Sequence, residues 1–206
     1  MSFPTTDAQG ELQAVNQILA SVGQAPVTTL EQTNPDVAIA YNTLQQVSRE
    51  VQAEGWTFNK EYHYPMPPSD PEQEIKIPDN MLQIDLSQDE YYNLDKDSIR
   101  RGGRLYDRTA HTYKWDRTVY CDIVWLFDWV DLPTPIRDYI TARAASMVAM
   151  RIVGDPTLYQ VLSQQEGYMR SNALEYETSQ GDYTFFGHPR GANYYSSYQP
   201  FHALYR

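Results

Sequence analysis

The sequence predicts an α+β fold. An antiparallel bundle of about four helices carries a small antiparallel β lobe between the second and third helices, and an extended aromatic-rich C-terminal tail follows. Three observations predict this. Apolar residues recur at helical spacing in two blocks, one ending near residue 56 and one starting near residue 132. Between the blocks come prolines, a short alternating stretch and one β-branched, aromatic run. After residue 181 neither period holds. The expected division is 1–56 with 132–181 as a discontinuous bundle, 57–131 as the inserted lobe, and 182–206 as a docking tail.

The elements follow in order. From Glu11, residues Leu12, Val15, Ile18, Leu19 and Val22 fall on one helical face; Gly23 suits the residue after the helix and Pro26 bars continuation. In TNPDVAIAYNTL, Thr33 or Asn34 can cap a second helix, with Pro35 at its first position and Asp36 facing the positive end of the dipole. Val37, Tyr41, Leu44, Val47 and Val51 form its stripe, and Gly55 ends it.

Prolines crowd residues 64–71, YPMPPSDP, which excludes helix and central strand there. Leu82, Ile84 and Leu86 alternate with polar residues as in a half-buried strand. The run RTVYCDIVWLFDWV, 117–130, carries the strongest strand signal in the chain.

Helical period returns with Thr134 as expected cap, Pro135 opening the helix, and Ile136, Ile140, Met147 and Val148 along it; Gly154 stops it. Asp155 caps and Pro156 opens a fourth helix, with Leu158, Val161, Leu162, Met169 and Leu174 as its apolar positions, running to about Thr178. The short connection predicts that helices three and four form an antiparallel hairpin.

Composition narrows function. The chain has 206 residues and a formal net charge of −11. A chain this acidic is poorly suited to gripping a polyanion, whose affinity comes largely from Lys and Arg displacing counterions. Cys121 is the sole cysteine, so an intrachain disulfide or a cysteine metal cluster is excluded. The start, MSFPTTDAQG, lacks the features of a signal peptide, and no stretch approaches a membrane span. Synthesis in a reducing cytoplasm is expected, and a virion location is equally compatible.

Signatures of nucleotide binding and of serine hydrolysis are missing, and so are paired metal-binding histidines. His63, His111, His188 and His202 are all expected in loops or the tail. No cofactor and no metal are expected. Cys121 reads as an inert thiol within a strand. Asp85, Asp89, Glu90, Asp95 and Asp97 cluster without the turn glycine of a calcium loop. A pair such as Asp85 and Asp89 could serve a glycan hydrolase, but a solvated acidic face is the ordinary reading.

Two features point to contacts. The tail holds eight aromatics, Tyr183, Phe185, Phe186, Tyr194, Tyr195, Tyr198, Phe201 and Tyr205, spaced by Gly, Pro and Ser. Such a segment orders on a partner surface rather than in water. The second feature is SIRRGGRLYDR, 98–108, where Arg100, Arg101, Arg104 and Arg108 give a local charge of +3. Gly102-Gly103 predicts a two-residue hairpin turn that sets Arg101 directly opposite Arg104. Opposed cations call for an anion nearby. Salt bridging to carboxylates of this chain or a neighbouring copy fits the charge best; a DNA contact and a solvated turn are the alternatives.

Three segments, AVNQILASVGQAPVTTLE (14–31), the stretch from Gln52 to Asn59 containing GWTFN, and RRGGRLYDR (100–108), together resemble the tail tubular protein A family of short-tailed bacteriophages. The resemblance spans most of residues 10–180. It implies a helical bundle with an inserted β domain and a non-enzymatic, structural role. It further implies a homo-dodecameric ring, the adaptor or gatekeeper, between the portal protein and the tail nozzle protein, with tail fibres nearby and double-stranded DNA passing through the channel. It also keeps a hydrolase alternative open, since some relatives have been proposed to act on cell-wall glycan.

Overall fold

The computed structural model describes residues 8–31, 34–87 and 96–181. The aromatic tail lies outside them, as do Thr33, Asp89, Glu90 and Asp95. The chain runs α1 (Ala8–Ser21), α2 (Pro35–Gln52), β1 (Lys60–Met66), β2 (Met81–Leu86), β3 (Ser98–Arg101), β4 (Arg104–Asp107), β5 (Val119–Trp125), α3 (Thr134–Ile152) and α4 (Pro156–Gly181). This is the expected α+β arrangement, with antiparallel sheets between α2 and α3.

Local chemistry explains most helix ends. Gly23 adopts φ +76° and closes α1, with the Gln24 amide donating to the Leu19 carbonyl at 3.0 Å. Asn34, the described one of the two candidate caps, accepts from the Asp36 amide at 2.9 Å. Asp155 does the same for Thr157 at 2.8 Å. At α3 the expectation fails. Thr134 is the first helical residue and Pro133 is the cap, without a side-chain bond. The amides of Ile136 and Arg137, which a Thr134 cap would hold, both donate to the Pro133 carbonyl at 3.0 Å.

Two apolar clusters organise the interior. Val15, Ile18, Leu44, Val47, Ile136 and Ile140 anchor the helical one. Met66, Ile75, Met81, Leu105, Trp115 and Ile123 anchor the other, under the strands. Each fully buried side chain of this size contributes about 1.5–3 kcal/mol. The main sheet has the order β1-β5-β2, antiparallel throughout. Pro65 sits in β1 at the sheet edge, where a missing amide is tolerated. His63 also lies in β1, contrary to the loop expectation. It takes φ +56° where the β1–β5 register shifts, so the strand carries its irregularity at that residue.

The strand in 117–130 is shorter than its signal. It ends at Trp125, and Phe127 and Trp129 pack on the helical cluster. Buried Gln52 explains the switch: its side chain donates to the Phe127 carbonyl at 3.1 Å and accepts the Phe127 amide at 2.8 Å. That peptide therefore needs no sheet partner. Asn59 closes the same junction. It is fully buried, donates to the carbonyls of Gln52 and Trp125, and accepts from the Trp56 amide at 2.9 Å. Across the junction Glu177 of α4 accepts from both the amide and the hydroxyl of Thr57.

Helices α3 and α4 lie antiparallel as expected. Ser146 meets Glu166 and Tyr139 meets Arg170, so positions ascend on one helix as they descend on the other. The apolar set expected for α4 divides. Leu162 is buried, Leu158 and Met169 are half-buried, and Val161 and Leu174 are exposed. At about 100° per residue, 158, 162 and 169 share a face that 161 and 174 do not.

Candidate functional site

The arginine stretch forms the expected hairpin. Gly102 and Gly103 take φ +59° and +70°, as a two-residue turn of the primed type requires. Ser98 pairs with Asp107, Ile99 with Tyr106, Arg100 with Leu105, and Arg101 with Arg104. Leu105 and Asp107 are fully buried, so their face points inward. Ile99, Arg101, Arg104 and Tyr106 occupy the other face.

The four arginines have four different environments. Arg104 Nη1 donates to both carboxylate oxygens of Glu74, at 2.7 and 2.9 Å. That hydrogen bond, reinforced by the Glu74 charge, raises the Arg104 pKa above its ordinary value. Its guanidinium also lies 4.5 Å from the centre of the Tyr113 ring. Arg101 lies 4.2 Å from the Tyr106 ring centre, and the Tyr106 and Tyr113 rings meet edge-on at 4.9 Å. Arg101, Tyr106, Tyr113 and Arg104 thus form one continuous chain of contacts. Arg100 donates to the Met81 carbonyl at 2.6 Å and ties the hairpin to β2. Arg108 meets Asp97 at 3.2 Å, with both side chains more than half exposed, and such a pair adds little stability.

The upstream acidic cluster therefore supplies Asp97 alone among these described pairs. Glu74 comes from elsewhere: residues 74–77 run beside the hairpin, with the Leu105 amide donating to Ile75 and the Ile77 amide to Gly103. The ring contacts were also legible in principle. Arg101 and Tyr106 are diagonal neighbours on one face, within reach of long side chains. Asp107 does more than offset an arginine. It accepts the amides of Thr109 and Ala110 at 2.8 and 2.9 Å and meets Lys96 at 3.3 Å. An aspartate just before the polar turn residues Arg108 and Thr109 is the sequence signal for that role.

Among the described residues the catalytic alternatives gain no geometry. Asp85 sits exposed on β2 opposite Asp122 of β5. Its carboxylate accepts the adjacent Leu86 amide at 2.9 Å. The Ser87 hydroxyl donates to Asp122, and His63 Nδ1 stands 4.0 Å from the same oxygen. Serine and histidine both address the carboxylate, so this is not the relay that activates a serine. Burial, helped by the charges of Asp122 and Asp85, pushes the Cys121 thiol up to about 12, which leaves it a poor nucleophile. Among the described residues no group of three or more His, Cys, Asp or Glu could hold a metal ion. No described helix is long and apolar enough to cross a membrane.

What the geometry does provide is a helical bundle, a hydrogen-bonded junction to the strands and a charged hairpin. Residues 12–183 match the tail tubular protein family, and the chain belongs to that family. It is thus a structural protein of a bacteriophage tail, a component of the virion that assembles with other tail proteins. Over 165 residues it is 27% identical to tail tubular protein A of Klebsiella phage KP34, covering 80% of this chain and 84% of that protein.

Proposed function

We propose that the chain is the tail adaptor: a homo-dodecameric ring that joins the portal to the nozzle and lengthens the DNA ejection channel. The observation that supports this reading is the family match through 12–183, which spans both helical blocks and the sheets between them. Charge agrees with it. Each copy brings −11, so a channel of such subunits repels DNA and lets it slide. The bundle, 1–56 with 132–181, forms the ring wall in this reading. The 57–131 lobe faces nozzle or fibres, and the tail from Asp182 docks on the portal or a neighbouring subunit. The protein is made in the host cytoplasm and acts without catalysis.

The arginine hairpin serves this reading as a partner contact. Eight of the sixteen lysines and arginines fall within 76–117, so basic charge gathers on one part of an acidic chain. Arg101 holds a ring contact and, unlike Arg104, no carboxylate among the described pairs, which leaves its donors for an acidic neighbour.

Light scattering on purified protein, alone and with portal, tests the ring. A twelve-fold mass or a ring in electron micrographs is expected. A monomer at every concentration, with no ring on portal, refutes the proposal. Removing 182–206 should leave helical circular dichroism unchanged and abolish portal or ring assembly.

A further inference from the structure

Helix α4 turns its charges the wrong way for a helix facing water. It spans 26 residues and holds four charged ones: Glu166, Arg170, Glu175 and Glu177. Three of them face other elements. Glu166 accepts from Ser146 of α3 at 2.7 Å, Arg170 donates to the Tyr139 hydroxyl at 2.8 Å and to Glu54 at 3.2 Å, and Glu177 holds Thr57. At about 100° per residue, Val161, Gln164, Tyr168, Ser171 and Thr178 fall on the opposite side. Glu175 is the one charge among them. Val161 is 58% exposed and Tyr168 65%. A surface helix ordinarily places charge there.

Helix α1 repeats the pattern. Its described charge, Glu11, accepts from Gln45 of α2 at 3.0 Å. Its outer side presents Leu12, Gln13, Asn16, Gln17 and Ala20, none of them charged, with the Asn16 side chain held to the Val27 backbone. Both helices pack on α3, with no substantial packing between them, so their free faces lie apart on the bundle.

We infer that the outward face of α4 in one copy packs on the outer face of α1 in a second copy. This rests on the ring reading above and names the surfaces that build the ring. The argument is electrostatic. Two chains of −11 repel, and like charges brought together at an interface cost several kcal/mol. Apart from salt-bridged contacts, copies approach most closely across faces poor in charge, and interface cores are depleted of charged residues. Here two such faces sit on separate helices of the same bundle. A contact between unlike faces is heterologous, and repeated around an axis it closes a ring or climbs as a filament.

Paired cysteines test this on the full chain. Buried Cys121 does not compete. Oxidising Gln17→Cys/Tyr168→Cys should give a ladder of dimers, trimers and higher species. Mixing the two single variants should give heterodimers alone. Tyr168→Glu should shift the assembled species to monomer with unchanged circular dichroism, while Tyr168→Phe stays assembled. A dimer from Tyr168→Cys alone would mean α4 meets α4 and would overturn the inference. So would an intact ring in Tyr168→Glu, or an intact ring that has lost portal; in both cases the ring reading survives. A wild-type chain that never assembles overturns both.

Discussion

Helices α2 and α4 belong to one bundle and are built on opposite plans. α2 buries Val37, Ala40, Thr43, Leu44, Val47, Ser48, Val51 and Gln52 among 18 residues. α4 buries Leu162, Ala173 and Gly181 among 26. A single stripe, inherited from the 3.6-residue period, holds α2 in place. Directed polar contacts from Glu166, Arg170 and Glu177 do much of that for α4. The comparison teaches that a helix can be fixed in a fold by its charges, which leaves its outward face poor in them.

The contrast can be broken most forcefully at Leu44. Leu44→Ala should cost about 2–5 kcal/mol in denaturant unfolding, since it opens a cavity in the helical cluster. A loss below about 1 kcal/mol would mean α2 is not held by its stripe. Glu177→Ala should cost about 1–3 kcal/mol, because the part-buried Thr57 amide and hydroxyl lose their acceptor. No change there would remove the polar half of the contrast.

A pH experiment addresses the β cluster, which follows the α2 plan. The Cys121 thiol is raised from 9.0 to about 12, chiefly by burial. The stability gained from keeping it neutral is full below pH 9 and is lost as pH rises from 9 toward 12. Its share of the slope is at most about 1.4 kcal/mol per pH unit and should vanish in Cys121→Ala. An identical slope in the two proteins would show an accessible thiol.

Smaller effects sharpen the picture. Asn34→Ala should cost about 1 kcal/mol through loss of the α2 cap, read as a lower melting temperature. Leu174→Ala, on the exposed side of α4, should change unfolding by about 0.5 kcal/mol or less. A larger change would mean that face already packs within the subunit.

Much of this architecture was legible in the chain. The Asn34 and Asp155 caps, the glycines at 23 and 154, the Gly102-Gly103 turn and the opposed Arg101 and Arg104 are local events. Each depends on residues a few positions apart. Glu74 on Arg104 was not legible, because thirty residues separate them and nothing in either segment marks the other. Nor was the end of β5. Leu126 to Val130 are as strand-like as Val119 to Trp125, and the difference lies in Gln52, 75 residues upstream of Phe127.

The sequence by itself determined the helices, most of their ends, the hairpin and the excess of negative charge, because backbone geometry and the 3.6-residue period act over short range. The tertiary structure alone decided which charges face inward. Glu166, Arg170 and Glu177 read as ordinary surface residues until α3 and the 57–60 turn come to lie against α4. Val161 and Leu174 read as core until α3 takes the other side of the helix. Periodicity names the faces of a helix, and packing chooses which of them meets water.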